Sequence, residues 1–162
     1  MSNFEKVRQF NKSFGVKIYN NPQQNITKDD PALTKLRLDL ILEETKELQE
    51  AIENHDFVEV VDALADILYV VYGAGTSFGI DLDRAFDIVH RSNMTKLCET
   101  EEIAQETVES YRAKYEAGTS PYDSPTYRLS DDGVNWVVYN ESTGKVLKSI
   151  HYTPANFSEL LD

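Results

Sequence analysis

The sequence predicts a mainly α-helical fold, an antiparallel helical bundle followed by a small C-terminal antiparallel β meander. Between residues 2 and 118, stretches with the apolar spacing of helices alternate with helix caps and stops. From Tyr127 to Ile150, β-branched and aromatic runs are separated by Asp-Asp-Gly and Ser-Thr-Gly turn signals. We expect a helical domain over residues 1–118, with the meander and tail of residues 119–162 packed on it, because so short a meander cannot form its own core.

The first two helices are placed by their caps. A capping-box pattern begins at Ser2, and Gly15 provides the stop for a short first helix. The segment 16–30 is rich in Asn and Gln and is predicted to be an irregular connection. Asp30 is the expected N-cap of the second helix, and Pro31 is its expected first residue.

The third helix follows a short link and is apolar nearly all round. Its sequence, FVEVVDALADILYVVYGAGTSFG, ends among Gly73, Gly75 and Gly79. A helix of this kind is expected in the middle of a bundle, and the short link makes it antiparallel to the second helix. Two further helices are predicted, one after Asp81 and one that ends at Gly118.

The composition limits the class of protein and of site. The 162 residues include 16 Lys and Arg against 28 Asp and Glu, a net charge of −12, which disfavours nucleic acid and anionic membranes as partners. The single cysteine, Cys98, allows no internal disulfide and is expected to be structural, and no zinc-ligand spacing is present. No run resembles a signal peptide or a transmembrane helix. We expect a soluble, cytoplasmic protein.

Acidic side chains are the candidates for a functional site, and the second helix carries several of them. At about 100° per residue, four residues mark the centre of its predicted apolar face: Leu38, Ile41, Leu48 and Ile52. Glu44 then falls on the flank of this face and Glu47 at its edge, whereas Glu43 and Glu50 lie further round. Glu44 and Glu47 are therefore predicted to point inward or nearly so.

The third helix adds three acids that share one side. Glu59, Asp62 and Asp66 project within about 60° of one another. In a helix that is otherwise apolar, such charges are costly unless a cation offsets them. Hard divalent ions such as Mg²⁺ and Mn²⁺ take oxygen ligands, and carboxylates from two antiparallel helices suit them.

A structural alternative is that the acids of the second helix only rim the core. Glu44 and Glu47 would then pair with lysines such as Lys46 or Lys96 at the surface. We favour a metal site, because the acids of both helices fall on inward or flanking positions and few basic residues are placed to neutralise them.

The helix after Asp81 carries candidate substrate contacts. Its predicted apolar face holds Phe86, Val89 and Leu97, and Asn93 and Lys96 fall on that same face. Lys96 is either a counter-ion of the carboxylates or a phosphate contact, and Asn93 can donate to or accept from a nucleotide. Glycine-rich phosphate loops, dinucleotide fingerprints and nucleophile elbows are absent from the sequence.

Three of these segments together resemble a known superfamily. The stretch EETKE, Glu43 to Glu47, resembles the E-E-x-x-E motif of the MazG-like all-α nucleoside triphosphate pyrophosphatases. The stretches DALADILYVVYG and VHRSNMTK resemble the phosphoribosyl-ATP pyrophosphohydrolase-like branch. The resemblance extends from about Phe4 to Tyr115, and although E-E-x-x-E alone is a common pattern, its combination with the other two segments is specific.

One departure from the superfamily pattern concerns the second acidic motif. In the superfamily this motif is E-x-x-D directly before an apolar run; here Asp66 occupies the Asp position and Ala63 stands where the Glu would be. Asp62, one residue earlier, is the candidate for that role. The literal E-x-x-D of this chain runs from Glu59 to Asp62, one turn upstream, so Asp62 is a ligand candidate in both alignments.

The resemblance implies an activity and a set of roles. It implies hydrolysis of a (d)NTP between its α and β phosphates to (d)NMP and pyrophosphate, dependent on Mg²⁺ with Mn²⁺ as a substitute. Glu43 is then the candidate to orient or deprotonate water, Glu59 is an outer or additional ligand, and Asn93 and Lys96 contact the nucleotide. The implied metal ligands are Glu44, Glu47, Asp62 and Asp66. A homodimer or a dimer of dimers is also implied, in agreement with a third helix too apolar to be covered by so few helices.

Three functions remain open at this point. The first is a housecleaning enzyme of the nucleotide pool that acts on dUTP or another non-standard dNTP. The second is a phosphoribosyl-ATP pyrophosphohydrolase of histidine synthesis, which the motifs favour and the added meander does not. The third is a non-catalytic helical interaction module, which the inward acids disfavour because they would be a burden without a cation.

Overall fold

The computed structural model describes residues 1–161. Its helices are α1 (Asn3–Ser13), α2 (Ile26–Asp29), α3 (Pro31–Glu53), α4 (Phe57–Phe78), α5 (Leu82–Met94), α6 (Glu101–Glu116) and α7 (Ser158–Leu161). Its strands are β1 (Pro125–Leu129), β2 (Trp136–Asn140) and β3 (Lys145–Val146), paired antiparallel in the order β1-β2-β3. The predicted fold class is confirmed. Within the described range, no helix has the length and apolar character needed to cross a bilayer.

The predicted caps begin and end the helices. Ser2 and Glu5 form a reciprocal capping box, in which the Ser2 amide donates to Glu5 Oε2 over 2.7 Å. The Asp30 side chain accepts from the Leu33 amide and starts α3, with Pro31 in its first turn. At the end of α4, Gly79 has a φ of 73°, and a Cβ there would lie 1.9 Å from the Asn21 carbonyl oxygen. Only glycine fits both requirements.

Chain contacts divide the protein into two compact units. The first contains residues 1–86 and the described residues from Phe157 onward, and the second contains residues 87–156. This grouping places α6 with the sheet. The predicted domain boundary after residue 118 stays a prediction.

In the first unit, α3 and α4 form an antiparallel hairpin, and α1 packs on α4. A buried hydrogen bond joins α1 to α4: Asn11 Nδ2 donates to Thr76 Oγ1 over 2.6 Å. The segment 16–30 was predicted to be irregular throughout, but it contains the single helical turn α2, whose Ile26 is buried. A turn this short has too few residues to show a helical apolar period.

The apolar face predicted for α3 is wrong in its centre. Leu38 and Ile52 are each 55% exposed, whereas the most buried residues of α3 are Arg37 and Ala51. Glu44, seven residues from each, lies on the same side and is half-buried. α4 contacts this side of α3, where Gly73 lies against Arg37, and so Leu38 and Ile52 lie beside the contact rather than in it.

As expected of a central helix, α4 contacts both α3 and α1, but part of its surface stays uncovered in a single chain. Its C-terminal half is buried from Gly73 to Ser77, but Phe57 is 77% exposed and Leu68 is 55% exposed. The contacts of α3 and α1 leave these side chains uncovered. Much of its N-terminal half is therefore open apolar surface.

The second unit is built around α6 and the sheet. Its core consists of five buried residues, Cys98, Ala104, Val108, Val138 and Leu147. The Cys98 amide donates to the Trp136 carbonyl over 2.8 Å, and Cys98 is only 1% exposed. The meander was predicted to pack on the helical part of the chain, and its strands β1 and β2 pack on α6.

Candidate functional site

The carboxylate of Glu44 is the centre of the candidate site. Its Oε2 atom is buried and has no hydrogen-bond partner among the described residues. Burial raises the pKa of this carboxyl above its ordinary value, and so do the negative charges of four other acids, first Glu47 and Asp66 and then Glu43 and Asp62. A buried carboxylate oxygen without a donor favours either a proton or a cation at this point.

The α3–α4 hairpin is what brings these acids together. Because the two helices run antiparallel, Glu44 on α3 lies near Asp62 and Asp66 on α4, close enough for their charges to act on it. Asp66 is half-buried like Glu44, whereas Glu43, Glu47 and Asp62 are exposed. The site therefore has a partly buried pair of carboxylates, Glu44 and Asp66, with three exposed carboxylates around it.

Glu59 lies in a neighbouring part of the same hairpin. It lines a cavity of about 320 Å³ together with Glu47, Glu50, Asp56 and other residues at the α3–α4 connection. Glu59 is exposed and is absent from the charges that act on Glu44. Glu47 is therefore the acid shared by the cavity and the Glu44 site.

The surface ion pairs of the alternative hypothesis are not present in the described part of the chain. Lys46 pairs with Glu50 at 3.5 Å, and the other salt bridges of residues 1–161 involve none of the candidate acids. Lysine pairing therefore does not neutralise Glu44 or Glu47.

The residues present suit a hard divalent cation in their chemistry. The donors are all carboxylate oxygens, and one of them, Glu44 Oε2, is buried without a partner. As the side chains stand, no three His, Cys, Asp or Glu of residues 1–161 are gathered closely enough to hold a metal ion. Binding there would require the exposed side chains of Glu47 and Asp62 to turn towards Glu44.

The candidate substrate contacts belong to the second unit. Asn93 is exposed near the end of α5, and Lys96 is half-buried in the turn that follows. The apolar face predicted for α5 is wrong, because Phe86 is 70% exposed and the buried residues of this helix are Ile88 and Ser92. The role of Asn93 and Lys96 as substrate contacts stays a prediction.

Sequence reasoning missed Arg37. This arginine is 7% exposed, and its Nε atom is buried without a hydrogen-bond partner. The available signal was its spacing, since Arg37 precedes Glu44 by seven residues and lies on the same side of α3. The apolar face predicted for α3 consists of other residues, and an arginine outside such a face carries no signal of its own.

Comparisons with known proteins show the family of the chain and the range that the family covers. The family described as phosphoribosyl-ATP pyrophosphohydrolase matches residues 7–93, which include α3, α4 and every candidate acid. An uncharacterized protein of Acanthamoeba polyphaga mimivirus is 31% identical, in an alignment that covers 99% of this chain and 96% of the viral protein. The likeness to the viral protein therefore extends beyond the helical segment into the meander.

Proposed function

Because the chain belongs to the phosphoribosyl-ATP pyrophosphohydrolase family of the MazG-like superfamily, we propose that it is a Mg²⁺-dependent pyrophosphohydrolase of nucleoside triphosphates. The family supports pyrophosphohydrolase activity. The proposed reaction converts a (d)NTP to (d)NMP and pyrophosphate. The proposed role is removal of dUTP or another non-standard dNTP from the nucleotide pool.

The observation that carries this proposal is the unpartnered buried oxygen of Glu44 among four further carboxylates. Such an arrangement destabilises the free protein, and a bound cation would remove the penalty. A non-catalytic interaction module would gain nothing from carboxylates that destabilise its fold. The geometry therefore supports an enzyme over the non-catalytic alternative.

Each acid has a proposed role. Glu44, Glu47, Asp62 and Asp66 would hold Mg²⁺ or Mn²⁺, which would offset the negative charge that develops on the phosphates during hydrolysis. Glu43 is exposed beside Glu44 and would accept a proton from the attacking water or orient it. Asn93 and Lys96 would bind the nucleotide through an amide and an ammonium group.

A second candidate substrate is favoured by the family match itself. The matched family is described by its action on phosphoribosyl-ATP, a substrate with the same type of α–β phosphoric anhydride. The carboxylate site serves either substrate, because both carry the reacting phosphates. The choice between them depends on the rest of the pocket.

One experiment tests the activity and its metal dependence. We expect pyrophosphate release from at least one member of a panel containing the dNTPs, dUTP and phosphoribosyl-ATP, with Mg²⁺ and not with EDTA. Mg²⁺ at about 100 times its Kd should also add about 2.7 kcal/mol to the free energy of unfolding. The proposed enzyme would be refuted if the protein released no pyrophosphate from any member of the panel and showed no thermal stabilisation at millimolar Mg²⁺ or Mn²⁺.

We also propose that the protein is a homodimer, or a dimer of dimers, formed through the α3–α4 hairpin. The supporting observation is the set of apolar side chains left exposed on these helices. They include Leu36, Leu38, Leu42, Ile52, Phe57, Val58, Val61, Leu64 and Leu68. A second copy presents the same exposed apolar side chains, and two-fold symmetry would place like surfaces against each other.

Charge introduced into this face should separate the copies. We expect Leu64→Glu to reduce the mass in light scattering from at least two chains of 18.5 kDa to one, because a dimer would bury the charged side chain in an apolar interface. Val134→Glu is the matched control, since Val134 is 69% exposed and belongs to the second unit, whereas the hairpin belongs to the first. A monomeric wild-type protein at micromolar concentration, or equal effects of both substitutions, would contradict the proposed interface.

A further inference from the structure

Two buried side-chain atoms of residues 1–161 have no hydrogen-bond partner, and both belong to α3. They are Oε2 of Glu44 and Nε of Arg37. One group is an anion that lacks a cation, and the other is a cation that lacks an anion. They lie on the same side of the helix, seven residues or about 10 Å apart along its axis.

The surroundings of Arg37 do not neutralise it. None of the salt bridges in the described range includes Arg37, and the acids nearest in the sequence are engaged elsewhere: Asp30 pairs with Lys17, and Asp39 with Lys35. Burial alone lowers the pKa of the guanidinium, with no carboxylate acting against that effect. A buried cation in this position is a cost to the free protein.

The backbone of α4 makes room for this cation. Gly73 faces Arg37, and a Cβ at that residue would lie 3.3 Å from Arg37 Nη1. Arg37 and Gly73 form a pair between α3 and α4, as Glu44 and Asp66 do. The second pair lies seven residues later on α3 and seven residues earlier on α4. The hairpin thus carries negative charge at the position of Glu44 and positive charge at the position of Arg37.

We propose that Arg37 binds a phosphate of the substrate, at the end of the polyphosphate chain remote from the carboxylates. This inference rests on the proposed function and extends it to a residue outside the acidic motifs. A polyphosphate with a divalent cation carries both charges that the hairpin lacks, a cation for Glu44 and an anion for Arg37. The planar guanidinium suits a phosphate, because it can donate two parallel hydrogen bonds.

A carboxylate from a second copy of the chain is the other group that could neutralise Arg37. The two possibilities predict opposite effects on the free protein. If the partner is a substrate phosphate, the ligand-free protein holds an uncompensated charge, and removal of this charge should stabilise it. If the partner is a carboxylate of a second copy, removal of Arg37 should destabilise the dimer.

The test uses the full-length Arg37→Met variant, with Arg112→Met as the matched control because Arg112 is exposed on α6. Inorganic triphosphate with Mg²⁺ is the probe, and its Kd is measured by calorimetry without turnover. We expect Arg37→Met to weaken triphosphate binding by about 10- to 100-fold, the loss expected for a hydrogen-bonded charged group. Its melting temperature without ligand should equal or exceed that of the wild type, and its stabilisation by Mg²⁺ alone should be unchanged.

A second variant keeps the arginine and moves it. Gly73→Ala would place a Cβ 3.3 Å from Nη1 of Arg37, so that the guanidinium must shift by a few tenths of an ångström, while alanine favours the helix. We expect weaker triphosphate binding without loss of thermal stability. Arg37→Lys, which keeps the charge but not the planar fork, should restore part of the affinity lost in Arg37→Met.

The outcomes separate this inference from the proposed function. Nucleotide turnover with an unchanged triphosphate Kd in Arg37→Met would overturn the role of Arg37 and leave the enzyme intact. Triphosphate binding that depends on Arg37, without turnover of any nucleotide, would support the anion site and refute the proposed reaction. No triphosphate binding by the wild type, or a monomeric and less stable Arg37→Met, would overturn the inference.

Discussion

Glu44→Gln is expected to lower pyrophosphate release by about 10³-fold or more. Glutamine keeps the shape of the side chain but removes the charge that would hold the divalent cation at the most buried point of the site. A bound metal ion contributes several kcal/mol of charge stabilisation to a phosphoryl transition state. Each loss of about 1.36 kcal/mol is tenfold in rate, so loss of this ligand is severe.

The same substitution should stabilise the protein in EDTA at neutral pH. In the wild type, burial and neighbouring acids raise the pKa of Glu44 above 4.5. As the pH rises from 4.5, the unfolded chain therefore loses this proton before the folded protein does, and the free energy of unfolding falls until the raised pKa is passed. Glu44→Gln has no such proton to lose, and its advantage in melting temperature should vanish as the pH approaches 4.5.

Glu53→Gln is the matched control for both measurements. Glu53 is exposed at the end of the same helix and accepts a hydrogen bond from Gln49 Nε2, which a glutamine oxygen can also accept. This variant should keep the activity and the pH dependence of the wild type. Equal activity of Glu44→Gln and wild type, with no difference in their melting temperatures in EDTA, would contradict the central role of Glu44.

The convergence of acids could be predicted because it depends on two regular quantities. The angle of about 100° per residue places Glu44 on an inner flank of α3, and the short link makes α3 and α4 antiparallel. Together they bring Asp62 and Asp66 towards Glu44, whose pKa responds to both. No tertiary information beyond the hairpin was needed.

The buried side of α3 could not be predicted in the same way. Hydrophobicity shows which side chains favour leaving water, but it does not show which element covers them. In this chain α4 contacts the side that carries Arg37 and Ala51, and Leu38 is left exposed. Arg37 was missed for that reason, since an arginine gains significance only when its burial and its lack of a partner are known.

The sequence leaves open whether Glu59 or Asp66 is a direct ligand of the metal ion. The structure supplies a basis for predicting which of them it is. Asp66 is half-buried and acts directly on Glu44, second only to Glu47 among the acids. Glu59 is exposed in the cavity beside Glu47 and does not act on Glu44. Asp66→Asn should therefore remove a direct ligand, whereas Glu59→Gln should remove only a supporting charge.

We expect Asp66→Asn to lower pyrophosphate release by about 10³-fold, as Glu44→Gln does. Glu59→Gln should lower it by about 10-fold, the lower end of the range for groups that support a ligand without touching the metal. Calorimetric titration with Mn²⁺ should show the same order, with binding lost in Asp66→Asn and weakened in Glu59→Gln. The reverse order would mean that the literal E-x-x-D of Glu59 and Asp62 is the metal-binding motif, and that the charge of Asp66 acts on Glu44 without sharing its cation.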